Sequence, residues 1–162
     1  MTRYDMLTEV TIAGSRSDCY AALVDEAEGR ATWWEPYIVE KPKGDLPVTT
    51  PGAEVLVTAS TSGHPERAMS SSTWTQRTTF AEPGSILAFE YVDGDFRGQA
   101  SWTFTDAEPG YTHIAVRFVA DPVGRLRLLS YILPIRRQRE RMNAFGFEAM
   151  EKYVAEHATK KG

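Results

Sequence analysis

The chain has 162 residues, 42% of them hydrophobic and 25% charged, which is the make-up of one ordinary globular domain with a core of its own. A single cysteine, Cys19, excludes an internally disulfide-stapled scaffold, and a net charge of −4 argues against bulk electrostatic binding of nucleic acid. No basic start followed by an apolar leader opens the sequence, and no run approaches the ~18 apolar residues of a membrane span, so the default reading is a cytoplasmic protein.

Charge is unevenly spread. Residues 1–124 hold nine Lys/Arg against eighteen Asp/Glu, while residues 125–162 hold nine against four, densest at Arg136, Arg137, Arg139 and Arg141. A solvated helix face accounts for such a cluster. A weak contact with a membrane surface or an acidic partner is the sharper alternative.

In chain order, residues 4–13 alternate as a strand with Met6, Thr8, Val10 and Ile12 on one face. Ser15, with Asp18 three residues on, opens a short helix to about Val24, whose buried stripe is Cys19, Tyr20, Leu23 and Val24. A second short helical turn over 26–32 leads to Trp33 and Trp34. Six strands follow, near 37–42, 54–60, 71–82, 85–92, 97–106 and 111–120, separated by turn signals such as Pro51-Gly52, Pro83-Gly84, Asp93-Gly94 and Pro109-Gly110. Connections of two to five residues make this an antiparallel meander and exclude a parallel α/β sheet. Asp121-Pro122 reads as the cap and first residue of a helix running to about His157, broken or kinked at Pro134. Met142, Phe145, Gly146, Ala149, Met150 and Tyr153 form its buried face. No internal repeat or linker divides the chain, so residues 1–162 read as one domain.

This order of elements (β-α-α-β6-α) resembles the START-like (SRPBCC) superfamily, in particular its polyketide cyclase/dehydrase-like group. The segments that carry the resemblance are the opening Glu9–Ala13 strand with its helix to Leu23, the tryptophans after the second turn, the strand Gly98–Thr105, and the closing Phe147–Val154. The resemblance implies an α+β helix-grip fold, a curved antiparallel sheet wrapped around the long C-terminal helix, with a ligand cavity between them.

Period-two alternation assigns the strand faces. Trp74, Gln76, Thr78 and Phe80 share one face, Leu87, Phe89 and Tyr91 another, then Ala100, Trp102 and Phe104, and Ile114, Val116 and Phe118. These are the inward sets, and Gln76, Thr78 and Tyr91 are their only polar members. Arg77, Glu90, His113 and Arg117 fall on the outward parity. Four Trp, seven Phe and seven Tyr are many large rings for one sheet and one helix to pack without leaving space. The candidate ligand-binding residues are therefore Trp74, Gln76, Thr78, Phe89, Tyr91, Trp102, Phe104 and Phe118 on the strands and Met142 and Phe145 on the long helix, together with Trp33 and Trp34, which the resemblance implies close one end of the cavity. A loop over residues 60–72 is expected at the cavity mouth.

Catalytic machinery is not legible. His64, His113 and His157 lack metal-ligand spacing, Cys19 lies on a buried stripe without a basic partner, and no glycine-rich phosphate motif exists, so no metal and no cofactor is expected. The leading expectation is binding or carriage of a small hydrophobic molecule, such as a lipid, quinone or aromatic polyketide. The alternative is an aromatase/cyclase-type enzyme on the same scaffold, using Tyr91, Gln76 and Arg77. A third reading is a partner-binding protein working through the basic helix.

Overall fold

The computed structural model describes residues 3–63 and 71–158. Its elements are β1 (Tyr4–Ala13), α1 (Arg16–Ala27), β2 (Ile38–Lys43), β3 (Glu54–Ser60), β4 (Ser71–Glu82), β5 (Ile86–Gly94), β6 (Phe96–Asp106), β7 (Tyr111–Pro122), α2 (Arg125–Leu129) and α3 (Ile135–Ala158). The seven strands form one antiparallel sheet in the order β1-β7-β6-β5-β4-β3-β2. The six-strand meander is as read from the turn signals, and the first strand closes it by pairing with the last. Met6 lies opposite Phe118 and Val10 opposite Ile114, so both strands turn the same parity inward.

The helix α3 lies against this sheet. It buries Ile135, Met142, Asn143, Gly146, Phe147, Met150 and Val154, a stripe at three- and four-residue spacing. The opposing face supplies Trp74, Phe89, Trp102, Phe104, Ile114, Val116 and Phe118, all at most 7% exposed. The outer face of the sheet carries the charges. Arg77 bridges Glu54 at 2.8 Å and Glu90 at 3.4 Å, Arg117 meets Asp5 at 2.8 Å, and His113 meets Glu9 at 3.1 Å. The outward parity of Arg77, Glu90, His113 and Arg117 is therefore observed.

Four local readings are corrected. The second helical turn over 26–32 is not a helix: α1 continues to Ala27, Gly29 takes φ +76°, and the chain reaches β2 through turns in which Tyr37 and Ile38 both donate to the Trp34 carbonyl. Asp121-Pro122 does not open a helix, because both residues extend β7, where Asp121 pairs with Arg97 and its carboxylate accepts from the Arg3 N–H. Proline is tolerated at such a strand end, where no ladder donor is required. Phe80 is 51% exposed rather than inward, because a register shift between Thr78 and Phe80 turns the strand by one residue, pairing Phe80 with Ala88. Phe145 is also turned outward, 38% exposed, with its ring 4.8 Å from that of Tyr37.

The expected break at Pro134 is present: α2 ends at Leu129, and α3 begins at Ile135, with Gln138 donating to the Pro134 carbonyl. Ser15 caps α1 by accepting from the Asp18 N–H at 3.1 Å. Cys19 is fully buried and its thiol is pushed up to about 11, chiefly by burial, so it packs as a small apolar group. Among the described residues, no helix is long and apolar enough to cross a membrane.

The tightest joint between helix and sheet is at Gly146. The Trp34 indole lies on it so closely that an added Cβ would stand 2.6 Å from two indole atoms, and the indole N–H donates to the Met142 carbonyl at 2.9 Å. Trp33 stacks behind Trp34 at 5.5 Å and Trp102 meets it edge-on at 5.9 Å, so the ring has nowhere to retreat. Gly146→Ala should therefore destabilise the protein by roughly 1–3 kcal/mol through overpacking, although alanine is the better helix former by about 1 kcal/mol. Urea unfolding measures this, and a stabilised variant would show that the indole is free to move.

Candidate functional site

A cavity of about 40 Å³ lies between the concave face of the sheet and α3. Its apolar wall consists of Leu23 and Ala27 from α1, Trp34, Ile38, Val57, Trp74, Phe89, Ala100, Trp102 and Val116, closed by Met142. A second cavity of about 30 Å³ continues past Arg139 and Met142 toward Leu126, Leu133 and Ile135, and its far side is formed by Ala59, Thr61, Ser71 and Ser72. Outside, a groove of about 260 Å³ runs along Tyr37, Thr61, Gln138, Arg141 and Phe145, again bounded by Met142. One unbranched side chain thus borders all three spaces.

The cavities are far smaller than the ~300–1,000 Å³ usual for a drug-sized ligand. The abundance of rings does not translate into volume, because the rings interlock. Trp74 meets Tyr91 and Phe96 edge-on at 5.8 and 5.5 Å, Phe96 meets Phe118 at 5.4 Å, and Trp102 meets Phe147 at 5.9 Å. Edge-to-face packing of this kind leaves few gaps.

The chemistry of the cavity is more polar than alternation on the central strands implies. Five polar side chains line it: Glu40, Gln76, Tyr91, Arg139 and Asn143. Glu40 sits on β2, where it pairs with Val57 and shares the inward parity of Ile38. Its Oε2 is buried and has no hydrogen-bond partner among the described residues. Burial pushes the Glu40 carboxyl up to about 8, and the nearby Glu26 adds to the effect. Glu26 is itself raised to about 7, chiefly by burial and further by Glu35, against the backbone N–H groups of Trp34 and Trp33, which favour its ionised form.

Arg139 reaches in from α3. Its guanidinium carbon stands 3.6 Å from the Phe118 ring centroid and 5.9 Å from that of Trp74. It lies in contact with the Tyr91 hydroxyl, which counteracts the downward pull that burial exerts on the guanidinium. Burial in turn holds the Tyr91 phenol above its ordinary range, with Arg139 opposing. The Arg139 Nε is buried and has no partner among the described residues. Gln76 accepts a long bond from the Trp74 indole at 3.4 Å, and Asn143 reaches Thr8 at 3.5 Å.

Of the residues singled out from sequence, Trp34, Trp74, Gln76, Phe89, Tyr91, Trp102 and Met142 border the main cavity. The other five do not. Thr78 is buried but donates to the Val48 carbonyl at 2.6 Å. Phe104 packs under Tyr20 and Trp102, Phe118 lies behind Arg139, and Trp33 backs Trp34 while its N–H donates to the Ala22 carbonyl at 3.0 Å. Phe145 borders only the outer groove. Residues 64–70 of the expected mouth loop lie outside the described residues.

Two inward charges were missed by the sequence reading, and both had a signal. Arg139 belongs to the run Ile135, Arg139, Met142, Gly146, Met150, spaced four, three, four and four residues apart, so helical periodicity turns it inward, whereas its membership of an arginine cluster suggested solvent. Arg136, Arg137 and Arg141 do face solvent. Glu40 follows Ile38 by two residues on a strand whose faces the aromatic pattern does not mark. The cavity thus holds an acid, a cation and the Asn143 amide beside Gln76 and Tyr91, where alternation suggested only Gln76, Thr78 and Tyr91.

No family model and no curated protein matches this chain in sequence. Solved structures do match. A START superfamily protein from Mycobacterium smegmatis is 14% identical with a TM-score of 0.67, covering 94% of this chain and 97% of that one. The Zhui aromatase/cyclase from Streptomyces sp. R1128 is 13% identical with a TM-score of 0.66, covering 96% and 95%. The di-domain ARO/CYC StfQ of the steffimycin biosynthetic pathway is 15% identical with a TM-score of 0.67, covering 96% of this chain and 51% of that one. At these identities the likeness is one of architecture, and with the sheet and helix described above it shows that this chain has the helix-grip fold of these START-like structures.

Proposed function

We propose that this protein binds a small, largely apolar molecule between the sheet and α3, with the molecule's polar end among Glu40, Tyr91 and Arg139. The observation that carries this reading is one aromatic-walled cavity lined by Glu40 and Arg139, each of which holds a buried polar atom, Oε2 and Nε, with no hydrogen-bond partner among the described residues. An unpaired buried polar group costs about 1–3 kcal/mol, so a fold that keeps two in one cavity gains from an occupant. The helix-grip fold, shared with solved aromatase/cyclases, is consistent with an apolar or aromatic guest. Non-denaturing mass spectrometry of the purified protein should show an added mass that organic solvent removes. Protein that is consistently ligand-free, and that takes up no apolar probe, would count against the reading.

Room for a guest has to come from movement, and Met142 is the side chain positioned to provide it. Its thioether chain is unbranched and separates the inner cavities from the outer groove. Met142→Ala should merge these spaces, lowering stability by about 2–5 kcal/mol while increasing uptake of Nile red measured by fluorescence. Unchanged uptake in a folded variant would show that Met142 is not the partition.

Glu40 favours a second reading, an acid–base enzyme on the same scaffold. A carboxyl that titrates near 8 is suited to proton transfer at neutral pH, and Arg139 with Tyr91 would stabilise a developing oxyanion. The elevated value has a consequence for stability. A carboxyl raised in the folded state stabilises most below its unfolded value near 4.5, and that contribution is lost as pH climbs toward 8. Glu40→Gln should therefore gain stability relative to the parent by roughly 1–3 kcal/mol at pH 8, with the gain vanishing near pH 4. Melting temperatures across this range test it, and a pH-independent difference would refute the buried-acid assignment.

The finer expectation of a weak membrane contact has support at the α2–α3 connection. Leu128, Tyr131 and Ile132 are 73%, 70% and 75% exposed, and exposed Arg136 and Arg137 follow closely in sequence. Apolar side chains flanked by cations fit an anionic lipid surface. Ile132→Glu should reduce co-sedimentation with phosphatidylserine vesicles, and equal sedimentation of the two proteins would remove this reading.

A further inference from the structure

The ligand's chemical class follows from the way Arg139 is held. Arginine is a permanent cation in proteins, yet among the described residues no carboxylate forms an ion pair with Arg139. Its guanidinium is stacked on Phe118 at 3.6 Å, lies 5.9 Å from Trp74, touches a neutral phenol, and keeps its Nε unbonded. The residue as a whole is half-buried but its Nε is enclosed, and cations desolvated in this way are ordinarily paired, because desolvation without a counter-charge is expensive. The aromatic faces and the Tyr91 hydroxyl offset part of that cost but leave the Nε–H without a partner among the described residues. The same side chain borders both inner cavities.

Resting on the binding function proposed above, we infer that the cavity takes an apolar weak acid, a carboxylic acid or an acidic phenol or enol, whose anionic oxygen pairs with Arg139. The aromatic wall of Trp34, Trp74, Phe89 and Trp102 receives the hydrocarbon part. Glu40 does not compete as the counter-ion, since its burial keeps it protonated through neutral pH. In that form it is a hydrogen-bond donor facing the same space, suited to an acid's second oxygen. Tyr91, held as a neutral phenol, is a further donor at the Arg139 end. A cavity carrying one cation and neutral donors, with no ionised carboxylate, discriminates an acid from its uncharged isostere.

The test compares benzoate with benzamide, which differ in charge but hardly in shape, at pH 7. Trp74, beside Arg139, gives a fluorescence readout, and calorimetry checks it. The parent protein should bind benzoate at least about tenfold more tightly than benzamide, the advantage of a charge-assisted bond. Arg139→Met should remove that preference while retaining benzamide binding, because the apolar wall is intact. Should Arg139→Met fail to fold, as judged by circular dichroism, Arg139→Gln keeps polarity without charge and makes the same comparison. Equal binding of the two probes by the parent, or a preference that survives loss of the charge, would overturn the inference while leaving apolar binding standing. A neutral molecule recovered in native mass spectrometry, with neither probe binding, would also overturn it and leave the binding function intact. If neither probe binds and no molecule is recovered, both fall together.

Discussion

The seating of the Trp34 indole on α3 governs the geometry of everything around it. The ring occupies the space where residue 146 lacks a side chain, and its N–H takes the Met142 carbonyl. Contact this close fixes the rotation of the helix about its axis, and rotation decides which side chains face the sheet. With Gly146 against the indole, Met142 and Arg139 follow on the same stripe one and two turns earlier. Phe145, one residue away, is carried outward toward Tyr37. The cavity, its partition and its cation are consequences of one ring against one glycine.

The interior combines two tendencies that ordinarily oppose each other. Interlocked rings fill the volume, leaving about 40 and 30 Å³. Into that small space the fold directs a guanidinium, a carboxyl, a phenol and two amides. A core built only for stability has little reason to desolvate such groups, since apolar replacements of similar shape are commonly as stable or more so. A raised carboxyl and a cation without a carboxylate partner among the described residues, held in one cavity, are a local inconsistency that supports the proposed binding function. In the binding function proposed above, Met142 would reconcile a closed state with an occupied one, because its side chain is unbranched and adaptable.

Charge is segregated by the pleat of the sheet. Arg77, Arg117 and His113 find carboxylates on the outer face, where pairs between half-exposed groups contribute little to stability, about 0–1 kcal/mol each. They keep that face solvated. The inward charges are held differently, by aromatic faces and by burial. The same residue types therefore carry different weight on the two faces, and the register decides which is which. The shift at Thr78/Phe80 shows how local this is, since one extra residue sends Phe80 to solvent while Leu87 stays in.

Much of the architecture was legible in the sequence because it rests on local physics. Turn dipeptides, period-two alternation, the Ser15 cap and the interruption at Pro134 act over a few residues, so the meander, the inward sets of β5–β7 and the broken C-terminal helix could all be read from them. Seven of the twelve candidate site residues reach the cavity, six of them assigned by strand or helix periodicity and Trp34 by the resemblance. Where an element's end depends on partners distant in the chain, the reading failed. Asp121-Pro122 carries a helix-start signal, but pairing with β6 keeps it extended, and the run after α1 becomes turns that serve the indoles. Arg139 and Glu40 lay on inward parities that spacing alone could have given, yet whether a charge at such a position is buried depends on what faces it across the fold. Desolvation, the stacking on Phe118 and the volume left among the rings are sums over residues brought together from the whole chain. Those quantities came into being only with the tertiary structure, and they set the chemistry of the site.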